Sequence, residues 1–335
     1  MIFDEDPGYR RESWCGFSFL NSYQTCNWKF YIRYILGIAS PFTAPPLLFG
    51  GAIHESKAVW YKTGSENKTL RALQRSIEER ETEYQNPEGS DSDILYGELL
   101  MRAWIQEWGK DDFKFYDILS VEEPCNAILP NGYKISMRSD VILRSKQDGR
   151  TILGETKTTR FSVAVTEAGV QNSDQITLYL WVLRKAHPEW DIEACMADIM
   201  YQNHGVVKCP RTDLIFRTQA DFLHFELQTV TLLSEISQKI RALNDFPHAQ
   251  LFPRHAAPGV CTSFNRPCEY QDICRSRLIG GHAPEGFRLD PWVDFQEISN
   301  LRYDLLDRIE VEVEEETRPV ETRPADSSPR RRKTR

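Results

Sequence analysis

Two carboxylates and a lysine occur at a spacing that could hold a divalent cation. Asp140 and the tripeptide Glu155-Thr156-Lys157 lie in neighbouring segments rich in β-branched residues, and Asp148-Gly149 separates the two segments. An Asp-Gly pair flanked by such segments is a strong signal for a tight hairpin turn. Side chains two residues apart on a strand point to the same face. We therefore predict that Asp140, Glu155 and Lys157 converge on one face of a hairpin.

The chemistry of this group depends on the pairing of the two strands. If Asp148-Gly149 forms the whole turn, Asp140 lies directly opposite Lys157, with Glu155 as its diagonal neighbour. A bulge or a longer loop would change that register. Mg²⁺ between the carboxylates could activate water for phosphodiester hydrolysis, while Lys157 could position the water or offset negative charge. The alternative is a ladder of charged side chains on an exposed sheet face.

The elements that must position these residues follow from the pattern of apolar residues. Periodicity and cap residues predict helices over residues 19–36, from Gly50-Gly51 to residue 60, and over 69–84, 93–109, 174–185 and 220–243. Residues from 113 onward, 194–207 and 213–217 predict strands, with Asn131-Gly132 as a further hairpin turn. The predicted fold is α/β, with a mixed β-sheet flanked by helices.

Three motifs of this chain resemble those of the PD-(D/E)xK nuclease superfamily. Met137-Arg138-Ser139-Asp140-Val141-Ile142, followed by Gly154-Glu155-Thr156-Lys157-Thr158-Thr159, resembles the core motif. Gly51-Ala52-Ile53-His54-Glu55 is similar to the helix that supplies a histidine ligand in RecB-like members. Gln175-Ile176-Thr177-Leu178-Tyr179 is similar to their Gln-x-x-x-Tyr helix.

The resemblance implies a restriction-endonuclease-like core and a set of roles. His54, Asp140, Glu155 and the carbonyl of Thr156 would bind Mg²⁺ or Mn²⁺, and Lys157 would be the catalytic lysine. Gln175 and Tyr179, at i and i+4 on one helix face, would contact DNA or order the site.

The cysteines predict a second metal centre. Cys261, Cys268 and Cys274 lie within fourteen residues of a segment with few hydrophobic residues, which favours ligation over burial. A [4Fe-4S] cluster is usually held by four thiolates, and Cys26 is the leading candidate for the fourth. Four thiolates also suit zinc, so zinc stays open. The remaining four are predicted to be buried thiols: Cys15, Cys125, Cys195 and Cys209.

The setting of Cys26 is similar to the N-terminal cysteine helix of the iron-sulfur RecB-like nucleases. These include the AddB nuclease domain and the CRISPR-adaptation exonucleases, in which the cluster joins the two ends of the chain. This sequence departs from them in one gap, because six residues separate Cys261 from Cys268 where the relatives usually have two. Cys261 is therefore the least secure of the predicted ligands.

Composition restricts the class of protein. With 335 residues and 41% hydrophobic residues, the chain can bury a substantial core. The net charge of −8 shows that the chain is not basic overall. Arg138 and Arg160 nevertheless lie near the predicted site and could bind phosphates. Prolines interrupt the apolar stretch 35–53, so we expect no membrane span. The acidic N-terminus does not resemble a secretory signal, and we expect a cytoplasmic protein.

Four segments are predicted: an N-terminal segment with the cluster helix (1–44), a nuclease core (45–250), a cysteine segment and helix (251–309) and a disordered charged tail (310–335). The predicted function is a metal-dependent exonuclease on single-stranded DNA or DNA ends, with a recombination or annealing protein as a candidate partner. Two alternatives are a DNA-binding or partner module with little catalysis and a nuclease acting on RNA.

Overall fold

A computed structural model describes residues 14–40, 43–80, 88–203, 205–246, 248–263, 266–276 and 287–289. The tail predicted over residues 310–335 lies outside this part of the chain. The predicted α/β fold with a mixed sheet flanked by helices is confirmed. The strands are β1 (Trp14–Cys15), β2 (Ile38–Ala39), β3 (Tyr116–Ile128), β4 (Lys134–Ser145), β5 (Thr151–Thr159), β6 (Ile192–Asn203), β7 (Val206–Lys208), β8 (Ile215–Phe216), β9 (Thr262–Ser263), β10 (Arg266–Pro267) and β11 (Arg288–Leu289).

The main sheet of the described residues has seven strands, with β4 and β5 near its centre. Strand β3 pairs antiparallel with β4 along most of its length, and β1 and β5 share the other edge of β4. Strand β5 runs antiparallel to β4 and parallel to β6, which is itself antiparallel to β7 and β8. Two helices connect the parallel strands β5 and β6, as a parallel crossover requires.

The helices flank this sheet, and their caps explain several boundaries. They are α1 (Phe17–Thr25), α2 (Asn27–Phe30), α3 (Pro45–Thr63), α4 (Glu66–Glu78), α5 (Glu88–Trp104), α6 (Lys110–Phe115), α7 (Val163–Gln171), α8 (Asp174–Ala186), α9 (Gln219–Arg241), α10 (His248–Leu251), α11 (Pro258–Cys261) and α12 (Gln271–Ser276). The Ser173 hydroxyl accepts the N–H of Gln175 and caps α8. Thr218 and Asp221 form a capping box at the start of α9.

Two differences between the predicted and the observed elements concern the helices that carry His54 and Cys26. Helix α3 begins at Pro45, five residues before the predicted Gly50, because proline is favourable at the first positions of a helix. The aromatic helix predicted over residues 19–36 is interrupted at Cys26, whose backbone is extended between α1 and α2. Cys26 therefore lies in a break between helices, and its N–H donates to the carbonyl of Ser22 at 3.0 Å.

Alternate residues of β5 face two different groups of helices, one on each side of the sheet. Ile152 packs with buried residues of α3, α4 and α5, whereas Leu153 packs with buried residues of α8 and α9. The sheet therefore separates two hydrophobic clusters, and the residues that follow on β5 point alternately towards α3 and towards α8. This alternation decides where the charged residues of β5 lie.

The N-terminal and C-terminal segments of the described chain meet. Strand β2 pairs antiparallel with β11, and the Tyr270 hydroxyl donates to the carbonyl of Ile38 at 3.0 Å. Lys29 and Glu269 form an ion pair at 3.1 Å. Within the residues that the model describes, no helix is both long and apolar enough to cross a bilayer.

Candidate active site

The turn between β4 and β5 sets the register of the acidic residues, and the predicted register is wrong. Ser145 and Arg150 close the turn, which contains residues 146–149 rather than Asp148-Gly149 alone. The Ser145 hydroxyl accepts two backbone N–H groups of the turn, and Gly149 has a φ of 78°. Val141 pairs with Gly154, so the next residues along the two strands are Asp140 and Glu155. The longer turn brings the two carboxylates, rather than Asp140 and Lys157, to facing positions.

His54 and Asp140 meet where the edge of β4 is open. Strand β1 pairs with β4 only at Lys134 and Ile135, and β5 pairs only from Val141 onward, so Asp140 lies in the gap. The His54 Nδ1 atom of α3 is 2.9 Å from Asp140 Oδ1. Burial alone lowers the pKa of His54, but the charge and hydrogen bond of Asp140 raise it overall. Burial works against ionisation of Asp140, yet His54 and nearby lysines lower its pKa.

Glu155 and Lys157 form the second half of the site with helix α8. The Lys157 ammonium donates to Glu155 Oε1 at 2.7 Å and to Gln175 Oε1 at 2.8 Å. The Gln175 amide in turn donates to the Tyr179 hydroxyl at 2.9 Å. The structure thus brings the predicted site residues Glu155, Lys157, Gln175 and Tyr179 into one hydrogen-bonded chain, next to the gap that holds Asp140.

Two carboxylate oxygens at this site lack a donor. Asp140 Oδ2 and Glu155 Oε2 are buried without a hydrogen-bond partner among the described residues. Burial and then the charge of Asp140 raise the pKa of Glu155, with Lys157 and His54 opposing the rise. Burial lowers the pKa of Lys157, but the charge of Glu155 raises it overall. Buried oxygens without donors are destabilising unless a water molecule or a cation contacts them. Oxygen atoms are the ligands that Mg²⁺ and Mn²⁺ prefer.

Sequence reasoning missed a third carboxylate, that of Glu122 on β3. Ligand atoms of His54, Glu122 and Asp140 all lie within 4.8 Å of one another. Val121 and Glu123 pair with Val141 and Ser139, which places Glu122 across from Asp140, with an unusual φ of 59°. Burial and then the charge of Asp140 raise the pKa of Glu122 to about 7.

The hairpin signal at Asn131-Gly132 could have pointed to this region. A two-residue turn there would place Glu123 opposite Asp140. The observed turn is one residue longer, because Leu129 bonds to Tyr133 across it. The sequence therefore indicated an acidic neighbour on β3, but only the structure identifies which of the two glutamates it is.

Thr156 points to the opposite face of β5, towards α3. Its hydroxyl accepts a hydrogen bond from Lys57 at 2.7 Å, and Lys57 also donates to Asp198 at 2.7 Å. Arg211 joins Asp198 to Asp112 through ion pairs at 2.6 and 2.7 Å. This buried network has no sequence motif and was not predicted. The predicted role of the Thr156 carbonyl as a cation ligand stays a prediction.

The two arginines predicted to meet nucleic acid lie in ion pairs. Arg138 is 3.8 Å from Glu122, and its side chain is 51% exposed. Arg160 is 3.1 Å from Asp93, with its side chain 57% exposed. The long pair of Arg138 contributes little, so this guanidinium could move to a phosphate at low cost. Arg160 pairs with the buried carboxylate of Asp93, whose side chain is 7% exposed, and is held more firmly.

The four predicted cluster cysteines lie where the chain ends meet. Cys26, Cys268 and Cys274 are partly buried against the same hydrophobic core, and Cys26 contributes, after burial, to the raised pKa of Cys268. The Cys261 thiol donates to the carbonyl of His255 at 3.9 Å, and the ring of His255 lies 3.1 Å from the carbonyl of Thr25. The other four are buried as predicted: Cys15, Cys125, Cys195 and Cys209.

Comparisons with known proteins identify the family. Among curated proteins, no sequence matches this chain. The crystal structure of SSO0001 matches with a TM-score of 0.31 and 18% identity, over 69% of this chain and 86% of that one. A family model of the PD-(D/E)XK nuclease superfamily matches residues 17–275. That match spans most of the chain and includes Asp140, Glu155 and Lys157, so this protein belongs to the PD-(D/E)XK nuclease superfamily, whose members are metal-dependent nucleases.

Proposed function

We propose that this protein is a metal-dependent DNA exonuclease that degrades single-stranded DNA or DNA ends, in recombination, repair or phage- or CRISPR-type DNA processing. The observation that carries the proposal is the pair of buried oxygens without donors, Asp140 Oδ2 and Glu155 Oε2, beside the ammonium group of Lys157. A cation and a phosphodiester would satisfy these three groups together.

The residues present fit a divalent cation. His54, Asp140 and Glu155, with the carbonyl of Thr156, would hold Mg²⁺ or Mn²⁺, which are bound by carboxylate and carbonyl oxygens and, in the case of Mn²⁺, also readily by imidazole. When bound, such a cation supplies Lewis-acid activation of water and of a phosphate oxygen. The protein contributes the fixed positions of the ligands, since β4, β5 and α3 are held by the hydrophobic clusters on both sides of the sheet.

Lys157 would act on the phosphodiester directly. Because its pKa is raised, the ammonium keeps its protons at neutral pH and can offset the charge that develops on the phosphate oxygens. Glu155 and Gln175 accept two of its hydrogen bonds, which leaves the third N–H for a water molecule or a phosphate oxygen. Tyr179 fixes the amide of Gln175, so it would order the lysine from one step further away.

Cleavage of labelled DNA tests the proposal. We expect the protein to degrade linear single-stranded DNA from its ends with Mg²⁺ or Mn²⁺, to spare circular single strands, and to lose activity in EDTA. Asp140→Ala should abolish cleavage. Asp117→Ala is the matched control, because Asp117 is exposed on the neighbouring strand β3, away from the site.

The alternatives predict other results in the same assay. Binding of DNA without metal-dependent cleavage would show a DNA-binding or partner module. Faster degradation of RNA of matched sequence would show a ribonuclease. Cleavage of circular single strands would contradict the exonuclease mode while leaving the metal site intact.

We also propose that the chain belongs to the iron-sulfur branch of the RecB-like nucleases, with a [4Fe-4S] cluster held by Cys26, Cys261, Cys268 and Cys274. Contacts between the segments that carry these cysteines support it, including the ion pair of Lys29 and Glu269. Four thiolates also suit zinc, so metal analysis has to distinguish the two.

An absorption spectrum of anaerobically purified protein tests the cluster. We expect a broad visible band, with about four iron and four sulfide per chain, which Cys26→Ser and Cys268→Ser should remove. Cys209→Ser is the matched control, because Cys209 is buried in the other hydrophobic cluster. Stoichiometric zinc without iron would overturn the iron-sulfur assignment and leave the nuclease proposal unaffected.

A further inference from the structure

Glu122 lies beside the site on a strand that carries none of the motif residues. A ligand atom from each of His54, Glu122 and Asp140 lies within 4.8 Å of the others. A six-coordinate Mg²⁺ ion with ligands at about 2.1 Å places neighbouring ligand atoms about 3 Å apart and opposite ones about 4 Å apart. The limit of 4.8 Å is slightly longer than the distance between opposite ligands, so the three side chains lie close enough to converge on one ion.

We propose that Glu122 is a further protein ligand of the divalent cation, so that β3 contributes to the metal site together with α3, β4 and β5. The inference rests on the proposed function, because it concerns the same cation. It adds a third carboxylate to the site, and with it a ligand whose position depends on the register of β3 against β4.

A second observation points independently to a cation in this gap. Glu155 is only 3% exposed, and its Oε2 atom has no hydrogen-bond partner among the described residues. Glu155 is the residue after the last pair of β4 and β5, so its position on the strand faces Asp140. Glu122 and Asp140, which have ligand atoms within 4.8 Å of each other, repel one another when both are ionised, and a cation beside them would remove this repulsion.

The interaction of Glu122 with Arg138 does not explain its position. The guanidinium is 3.8 Å from the carboxylate, at the limit of an ion pair, and half of the Arg138 side chain is exposed. Such a pair contributes little and is screened by salt. The adjacent Glu123 shows the contrast, since its carboxylate accepts the hydroxyl of Ser120 at 3.0 Å and is satisfied locally.

Loss of the negative charge of Glu122 should therefore weaken the binding of the metal ion. Glutamine has nearly the same shape as glutamate but lacks the negative charge, and its amide is a poor ligand for Mn²⁺. Loss of groups that only support metal ligands already weakens binding by about 10–100-fold. For Glu122→Gln we expect at least about a tenfold rise in the Kd for Mn²⁺.

Isothermal titration of Mn²⁺ into the full-length protein, stripped with EDTA and without DNA, tests the proposal. Glu122→Gln should bind at least about tenfold more weakly than wild type, whereas the neighbouring Glu123→Gln should bind like wild type. Asp140→Asn should show no binding. Wild-type affinity in Glu122→Gln, or an equal loss in Glu123→Gln, would overturn the proposal while leaving the metal-dependent function intact.

The remaining outcomes are also decisive. If wild type binds no Mn²⁺, the proposed function and this inference fail together. Thermal unfolding in EDTA establishes that each variant is folded. Should Glu122→Gln not fold, Glu122→Asp takes its place, because a carboxylate one methylene shorter draws back from the ion. Wild-type affinity in that variant would overturn the proposal equally.

Discussion

Strand β5 separates two groups of buried charges that differ in how completely they are paired. On the α3 side, Asp198 accepts hydrogen bonds from Lys57 and Trp104 at 2.7 Å and from Arg211 at 2.6 Å. Glu155, on the other side, and Asp140, at the open edge of β4, each keep one buried oxygen without a donor among the described residues. The first group has its partners within the protein, whereas the second would gain partners from a bound cation.

The pKa values of two equally buried carboxylates show the same contrast. Burial opposes ionisation of Asp198, but Lys57 and Arg211 lower its pKa to about 2. Burial and the charge of Asp140 instead raise the pKa of Glu155. Both carboxylates are buried, so their charged neighbours decide whether the pKa is raised or lowered. The partners of Asp198 favour its charged form, whereas Glu155 has fewer such partners, and a bound cation would supply another.

The largest expected effect is the loss of cleavage in Glu155→Gln. The variant removes a charged ligand whose contribution to transition-state stabilisation is several kcal/mol, so the cleavage rate should fall roughly 1000-fold. The same change removes a buried charge with a raised pKa, so the free energy of unfolding in EDTA at pH 7.5 should stay equal or rise. Cleavage of labelled DNA and urea unfolding measure the two effects.

Urea unfolding of the metal-free protein tests whether the two sides of β5 differ in this way. If Glu155→Gln destabilises the metal-free protein by several kcal/mol, Glu155 is part of the structural framework and the two sides of β5 do not differ. Glu167→Gln, on the surface-facing helix α7, is a control for the loss of one negative charge.

The next largest effect is expected on stability, from Lys57→Met. Lys57 is only 4% exposed and joins α3 to Thr156 and Asp198. Removing one partner of a buried ion pair destabilises a protein by about 3–5 kcal/mol, because the other charge remains buried. Arg211 still contacts Asp198, so we expect about 3 kcal/mol, measured by urea unfolding. Lys62→Met, at an exposed position of the same helix, should change stability by less than about 0.5 kcal/mol.

The sequence predicted the contents of one side of β5 and nothing of the other. The Glu-x-Lys tripeptide and the Gln-x-x-x-Tyr spacing are local patterns, so they pointed to Glu155, Lys157, Gln175 and Tyr179, whose side chains the structure brings together. The Asp198 network joins residues from distant parts of the chain, since Lys57 and Asp198 are 141 positions apart. No local spacing marks such a network, and Glu-x-Lys also occurs at Glu55-Ser56-Lys57, where it has no such role.

At the site itself, the feature that the sequence did not predict was the pairing register of the strands. The predicted two-residue turn placed Asp140 opposite Lys157, and the observed four-residue turn places it opposite Glu155. Turn length depends on hydrogen bonds such as those accepted by the Ser145 hydroxyl, which a dipeptide signal does not contain. One extra residue in the other hairpin likewise exchanged Glu123 for Glu122 as the neighbour of Asp140.

Acid should weaken the Asp198 network within a defined window. A carboxylate with a lowered pKa contributes stability that is complete above its ordinary value of 3.8 and is lost as the pH falls through about 2. Between pH 4 and pH 2 the contribution of Asp198 should fall by about 2 kcal/mol. The measurement is the difference in free energy of unfolding between wild type and Asp198→Asn. A difference that stays constant over this window would show that the ion pairs do not stabilise the fold.

The smallest expected effect separates two roles for Tyr179. If it only orders the site, Tyr179→Phe removes one hydrogen bond to Gln175, worth about 1 kcal/mol, and cleavage should fall roughly fivefold. Gln175→Leu removes the contact to Lys157 as well and should cost more. A loss of cleavage in Tyr179→Phe as large as that in Gln175→Leu, together with a higher KM for DNA, would instead mean that the hydroxyl contacts the nucleic acid. The two sides of β5 would then differ in a second respect, because the side with the unpaired oxygens would also be the side that binds DNA.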